Sequence, residues 1–313
     1  PGDDPSETAR VVIEAGGRVT LYLGIASLGQ GHGTIMSQIC ADALGVTMDS
    51  VTVIYGDTDL VPQGNGTYAS RATVIGGSAV HVASQNLQER VLALAAAHLT
   101  LQPEQLVLHA GEVHREGEPE GPSLMDLASV LELAKEEDLG GEVTLEETAQ
   151  FVASQHAYVY GTHIAHVAVD PETGKVELIR YICANDVGRS VNPLLVQGQV
   201  YGAAVQGIGA TLLEELVYDE NGQLLTTTFM DYLLPLSTDV PPIESILLEE
   251  APSPLNPLGV KGAGELGIVA TGGAISNAVS RALAPLGVEV RSLPLSPNAV
   301  RALVRQAAEG SNG

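Results

Sequence analysis

The chain contains no tryptophan, two phenylalanines and two cysteines in 313 residues. Its 14 lysines and arginines face 38 aspartates and glutamates, for a net charge of −24. Each scarcity excludes something. Aromatic residues are only 4% of the chain, so a core drawn from its 45% hydrophobic content must be Val, Leu, Ile and Ala. The shortage of cations argues against nucleic acid or an anionic membrane as partner, because neutralising phosphates needs basic clusters. Cys40 and Cys183 are isolated, with neither metal-ligand spacing nor a disulfide framework. An iron–sulfur cluster normally takes four thiolates, so this chain alone should hold none. The longest apolar run, near Val91 to Ala97, is too short to span a bilayer, so no integral membrane segment is expected. No basic or apolar leader region follows Pro1, so no secretory signal is visible and a cytoplasmic setting is the default. The first residue is not Met, which suggests a fragment or a processed subunit.

Glycine is abundant, with 35 residues, and it punctuates a pattern of short strands and helices. Arg10 to Glu14 and Arg18 to Gly24 read as a hairpin across Gly16-Gly17. Thr34 to Leu44 reads as a helix with Thr34 as a plausible cap, and Ser70 or Thr73 is placed to cap a long helix ending near Leu99. Residues 111–121 read as a turn-rich segment and Ser123 to Glu137 as a helix. The acidic run of Glu132, Glu136, Glu137, Asp138, Glu142, Glu146 and Glu147 reads as a solvated face or connector rather than a metal site. Two further strands, Ala157 to Asp170 and Lys175 to Cys183, meet at a Pro171–Gly174 turn. Pro193 to Leu216, Ile268 to Leu283 and a segment from Pro297 read as helices, with a strand at Ile243 to Leu248. Strands and helices do not alternate as strict βαβ units, so the class is α+β in two lobes, 8–150 and 151–310.

Four loops carry the chemistry. Gly29-Gln30-Gly31-His32-Gly33 precedes a helix, where exposed N–H groups bind anions, although it reads equally as a plain Gly-rich turn. His32 by itself reads as a hydrogen-bonding loop histidine. Residues 64–73 combine hydroxyls, Arg71 and a helix start, suited to phosphate; the alternative is an ordinary helix start whose Arg71 pairs with Asp57 or Asp59. Residues 185–193 end on Pro193 at a first helical position, with Gln197, Gln199 and Gln206 beyond. Lys261-Gly262-Ala263-Gly264-Glu265-Leu266-Gly267 holds one carboxylate, one cation and three glycines. Gly262, Gly264 and Gly267 match the dinucleotide fingerprint literally, but the three prolines of 251–257 exclude the strand that fingerprint must follow. Glu265 reads either as a capping carboxylate or as a general base held ionised at a helix start.

Taken in order, these loops resemble the molybdenum hydroxylase family, which includes xanthine dehydrogenase, aldehyde oxidase and aerobic carbon monoxide dehydrogenase. The match is to the second molybdenum-cofactor-binding domain of the large subunit, from about Arg10 to Val304. It rests on 29–34, Gly56-Asp57-Thr58-Asp59, 66–71, Val191-Asn192-Pro193, Gly198-Gln199, 229–235 and 259–265. The Gly66-Thr67-Tyr68-Ala69-Ser70-Arg71 and Phe229-Met230-Asp231-Tyr232-Leu233-Leu234-Pro235 strings resemble the carbon monoxide dehydrogenase branch. That branch often carries a Cys where Val187 stands.

The resemblance implies a molybdopterin cytosine dinucleotide carrying molybdenum, with no metal ligand from this chain. Gln30, Gly31, His32, Gly33 and Thr34, with Thr67, Tyr68, Ser70, Arg71 and Thr73, would hold pterin and phosphates. Asn192, Gln199, Lys261 and Gly262 would be neighbours of the same ligand, and Glu265 the catalytic base. The implied partners are the N-terminal half of the large subunit, an iron–sulfur small subunit and an FAD-binding medium subunit. The implied reaction is oxidation of carbon monoxide with water as oxygen source. Alternatives are an aldehyde, xanthine or another N-heterocycle as the small-molecule substrate, or a non-catalytic cofactor-binding or assembly domain.

Overall fold

A computed structural model of the chain describes residues 5–137 and 144–310. Asp138 and Glu142 of the acidic run, and most of the N-terminal stretch read for a leader, lie outside the described residues. The chain forms two compact units, the first comprising Pro1–Tyr158, Gly188–Asn192 and Pro252–Gly262, the second comprising Val159–Val187, Pro193–Ala251 and Ala263–Gly313.

In the first unit, β1 (Ser6–Ile13) and β2 (Val19–Leu23) form the antiparallel hairpin that the Gly16-Gly17 turn predicts. Gly16 and Gly17 sit at φ +82° and +78°, which a side chain would resist. Helix α1 (His32–Leu44) leads to β3 (Val51–Ile54), which joins β2 in parallel. Helix α2 (Gly77–Leu99) is followed by β4 (Leu106–His109), β5 (Glu112–Arg115), β6 (Met125–Asp126), α3 (Leu127–Glu137) and β7 (Leu145–Val152). Strand β7 returns to pair with β1, giving the sheet order β3-β2-β1-β7. The expected cut at residue 150 therefore falls inside a strand of the first sheet. Strands β4, β5 and β6 form a second, small antiparallel sheet. Residues 111–121, read as turns, thus contain β5: its four residues hold too few apolar side chains for a strand signature. The core is aliphatic, with Ile13, Leu21, Leu23, Met36, Leu44, Leu87 and Leu145 fully buried.

In the second unit, β8 (Tyr160–Val169) and β9 (Val176–Asp186) pair antiparallel, and β10 (Ile243–Leu248) adds to β9 in parallel. Helix α4 (Pro193–Leu212) follows β9, and α5 (Leu266–Val269), α6 (Thr271–Leu283) and α7 (Pro297–Gly310) follow β10. Ile268 to Leu283 is therefore not one helix. The chain breaks at Ala270, leaving a four-residue helix ahead of α6. Tyr181, Val200, Ile208, Ile275, Val279 and Leu295 form the core.

Glycine lets these helices touch backbone to backbone. A Cβ at Gly267 would lie 2.4 Å from the Val200 carbonyl oxygen and 2.7 Å from the Ala204 nitrogen. A Cβ at Gly207 would lie 2.6 Å from Cβ of Thr271. Among the described residues no helix is long and apolar enough to cross a membrane. Gly267→Ala should destabilise the fold by about 1–3 kcal/mol through overpacking against α4. Gly202→Ala, where no atom lies within 4 Å of the new Cβ, should be neutral or slightly stabilising. Thermal unfolding of both variants checks this; equal melting temperatures would refute the close-contact argument.

Candidate functional site

The loop before α1 is shaped by glycine. Gly29 and Gly31 have φ +108° and +81°, and Gly31 turns the chain into the helix. The helix begins at His32, two residues before the expected start, so Thr34 is not its cap. It lies on an exposed part of the first turn. The Gln30 side chain accepts a hydrogen bond from the Leu28 N–H and stiffens the loop. No side chain caps α1, and no acidic residue stands in its first turn. In a chain with 38 acidic residues, that leaves the positive end of the helix available to an outside anion. His32 is buried beside this end, and its Nδ1 has no hydrogen-bond partner. Burial pushes its pKa below the usual histidine range, against a smaller opposite effect of the Ala26 backbone.

The loop before α2 is held from beneath. Arg71 is buried and pairs with Glu7 of β1 at 3.0 Å. Its guanidinium also donates to the Gly66 carbonyl at 3.1 Å and to the Ser6 carbonyl. It pairs with neither Asp57 nor Asp59. Asp57 instead accepts from the Asp59 N–H at 2.9 Å within its own turn. The Arg71 side chain, expected on phosphate, is spent inside the protein, and the loop backbone it supports is what faces outward. Above it, Ala69 and Ser70 adopt φ +49° and +53°, a conformation that L-residues resist and that recurs at ligand-binding turns. Neither Ser70 nor Thr73 caps α2. A π-helical turn, Ala72–Gly76, precedes the helix, and neither start has a side-chain cap or an acidic residue.

Contacts within the first unit tie four distant loops together. The Thr67 hydroxyl donates to the Ala26 carbonyl at 2.8 Å, joining the loops before α1 and α2. Gly262 lies against Ser70, so closely that a Cβ there would come within 2.8 Å of the Ser70 carbonyl oxygen. The Arg189 N–H donates to the Gly259 carbonyl at 2.9 Å, and Gly188 bridges to Val260. The Asn192 amide donates to Gln38 of α1 at 2.9 Å. The buried Asn256 amide clamps its own loop through both Val260 backbone groups, at 2.9 and 3.1 Å. Val260 in turn packs on Val74 and Ile75 of the π-helical turn. Lys261 is buried here. His81 of α2 is pushed down in pKa first by burial and then by the nearby charge of Arg189.

Gln30 to Thr34, Thr67 to Thr73, Asn192, Lys261 and Gly262 thus belong to one unit. Gln199 and Glu265 belong to the second. Gln199 is half-buried on α4, and Glu265 is exposed at the start of α5. A helix of four residues cannot supply the long helix dipole that Ile268 to Leu283 promised for Glu265. Sequence reading missed Glu7 and Asn256. Glu7 is a lone acid in an apolar strand and Asn256 sits in a proline-rich loop, so only the folded contacts distinguish them. Among the described residues no three His, Cys, Asp or Glu side chains gather as a metal site.

The α+β scaffold thus combines glycine loops, uncapped helix starts and a buried imidazole whose Nδ1 lacks a partner, features that offer an outside anion backbone N–H groups. The sequence profile of the molybdopterin cofactor-binding domain matches residues 2–241, and the chain belongs to that family. It is 38% identical over 294 residues to the 6-hydroxypseudooxynicotine dehydrogenase complex subunit gamma of Paenarthrobacter nicotinovorans, covering 94% of this chain and 37% of that protein. Identity to the carbon monoxide dehydrogenase large chain of Afipia carboxidovorans is 31% over 289 residues, covering 92% and 35%. The crystal structure of quinoline 2-oxidoreductase from Pseudomonas putida 86 superposes with a TM-score of 0.87 at 39% identity, covering 96% of this chain and 38% of that one. The chain therefore spans little more than a third of the length of these relatives. The resemblance to molybdenum hydroxylase large subunits and the α+β class both stand.

Arg71→Ala should lower stability by about 3–5 kcal/mol, because it strands the buried Glu7 carboxylate. Exchanging both partners for apolar residues, as in Arg71→Met with Glu7→Leu, should recover much of that loss. A double-mutant cycle by denaturant unfolding checks it; a loss below about 0.5 kcal/mol for Arg71→Ala would mark the pair as energetically idle.

Proposed function

We propose that this chain is the C-terminal half of the molybdopterin-binding large subunit of a molybdenum hydroxylase. The observation that carries the reading is the uncapped, acid-free start of α1 beside the unpartnered Nδ1 of His32. These groups fit an anionic, hydrogen-bonding pterin dinucleotide, and the cytosine form is the one proposed. When bound, the cofactor would supply the redox centre for the two electrons of the substrate C–H bond, which breaks as the new C–O bond forms, its hydrogen leaving as a proton.

The residues of this chain bind, orient and move a proton. Backbone N–H groups of Gly31 to Thr34 and of the Thr67 to Thr73 loop receive pterin and phosphate oxygens, apart from that of Arg71, which donates to the Tyr68 carbonyl. Gly262 lets backbone approach closely, while Asn192, Lys261 and Gln199 add polar contacts. Arg71 keeps the second loop in shape from below. Glu265 is the general base: a carboxylate oxygen takes the proton from the water-derived oxygen that attacks substrate carbon. Electrons leave through the iron–sulfur and FAD subunits, and the N-terminal half of the large subunit completes the cofactor site.

The substrate we propose is a nitrogen heteroaromatic. Identity is 38% with the nicotine 6-hydroxylase large subunit of Paenarthrobacter nicotinovorans and 39% with quinoline 2-oxidoreductase, against 31% with the carbon monoxide dehydrogenase large chain. Carbon monoxide is the second reading, carried by the 66–71 and 229–235 strings.

Two measurements on the assembled complex test this. Acid hydrolysis should release cytidine monophosphate in proportion to molybdenum, and quinoline or nicotine rather than carbon monoxide should drive dye reduction. Release of another nucleotide, or reduction by carbon monoxide alone, overturns the corresponding part. Glu265→Gln should keep full molybdenum content yet lower turnover on the order of 10²–10⁴-fold. Near-normal turnover at full metal loading would remove Glu265 as base and favour an assembly role.

A further inference from the structure

The second unit contains a buried polar chain that the cofactor reading leaves unused. His163 of β8 lies diagonally from Tyr181 of β9, its direct cross-strand partner being Cys183. The His163 Nδ1 and Tyr181 hydroxyl are 2.9 Å apart. The Tyr181 hydroxyl lies 3.0 Å from Oγ1 of Thr271, the first residue of α6. Thr271 Oγ1 lies 2.5 Å from the Gly267 carbonyl oxygen in α5. Tyr181 and Thr271 are both fully buried.

Counting protons gives the chain a direction. A carbonyl only accepts, so the single Thr271 proton goes to Gly267. Thr271 must then accept from Tyr181, whose single proton is thereby used. Tyr181 in turn must accept, so His163 donates from Nδ1. Burial holds the Tyr181 phenol protonated, with its pKa pushed up to about 12, and burial lowers that of His163. A neutral His163 carrying its proton on Nδ1 satisfies every bond. Asn185 of β9 is fully buried beside this ring and nudges its pKa upward, yet its amide makes no hydrogen bond of normal geometry. It lies over Gly161, where a Cβ would come within 2.1 Å of its Oδ1.

The chain ends on a helix whose other contacts are equally constrained. Gly267 is seated on the α4 backbone, and Gly207 of α4 presses on the Thr271 side chain. Gly267 within α5 and Thr271 at the start of α6 are therefore both constrained by contacts with α4, while the hydrogen-bond chain ties α5 to the sheet. Glu265 immediately precedes this helix.

We infer that His163, Tyr181 and Thr271 are positioning residues for Glu265, holding α5 in register with the β8–β9 sheet so that the carboxylate keeps one placement. The inference rests on the reading of Glu265 as general base. Its physical content, that the chain restrains α5, stands apart from that reading.

The test uses the assembled complex and two readouts. In Tyr181→Phe, amide hydrogen exchange of the peptide covering 263–270 should accelerate roughly five- to tenfold. Molybdenum content should stay full while kcat falls about ten- to a hundredfold, with little change in KM. Thr271→Val attacks the chain from its other end and should reproduce both effects, so a folding failure of Tyr181→Phe still leaves a decisive variant. Thr271→Ser keeps the hydroxyl and should restore both towards the parent. Unchanged exchange at 263–270 in Thr271→Val overturns the inference. So does faster exchange with no fall in kcat, provided Glu265→Gln is inactive. If Glu265→Gln is itself active, the general-base reading fails and the positioning role falls with it, while the exchange result still reports whether the chain restrains α5.

Discussion

The buried pair of Arg71 and Glu7 is the interaction on which the first unit depends. A guanidinium and a carboxylate removed from water need each other and further hydrogen bonds as well. Arg71 finds these on Gly66 and Ser6, and Glu7 on the Asn65 N–H at 3.3 Å. One ion pair thus fastens the start of β1 to both ends of the 65–71 loop. The left-handed Ala69 and Ser70 persist because this anchor, the Thr67 bond to Ala26 and the contact with Gly262 determine the loop together.

The second unit reaches order by a different route. It has few aromatic side chains to fill space, and it brings backbones together instead. Gly207 and Gly267 let α4, α5 and α6 approach until the next atom is main chain or a threonine. Tyr181 is the large buried aromatic among these small residues, and its hydroxyl finds partners on both sides. Small residues make the fit close, and the polar chain through Tyr181 makes it directional.

Among the described residues no α-helix carries an acid in its first turn, so the start of α1 is set apart by the buried, unpartnered Nδ1 of His32 rather than by charge. Three cations stand in Gly-containing loops, and they meet different fates. Arg71 is buried in an ion pair, Lys261 is buried in its loop, and Arg189 is exposed with His81 nearby. Burial, which no spacing rule reports, separates them.

The sequence by itself determined the α+β class, the hairpin at Gly16-Gly17, the β8–β9 pair, most helices and the identity of the loops. These follow from glycine, proline and apolar periodicity, which act over a few residues. Helix starts were misjudged by a few positions because glycine at φ +81° began α1 where a hydroxyl cap was expected at Thr34. The join at Ala270 was missed because small apolar residues continue across it without a break in pattern. Only the tertiary structure decided that Arg71 faces Glu7 some 64 residues away, that 188–192 and 252–262 belong with the first unit, and that Thr271 connects α5 to Tyr181. Each of these is a pairing of buried polar groups across long stretches of chain. Its partner is chosen by the need to satisfy hydrogen bonds away from water, and that need arises only once the chain has folded.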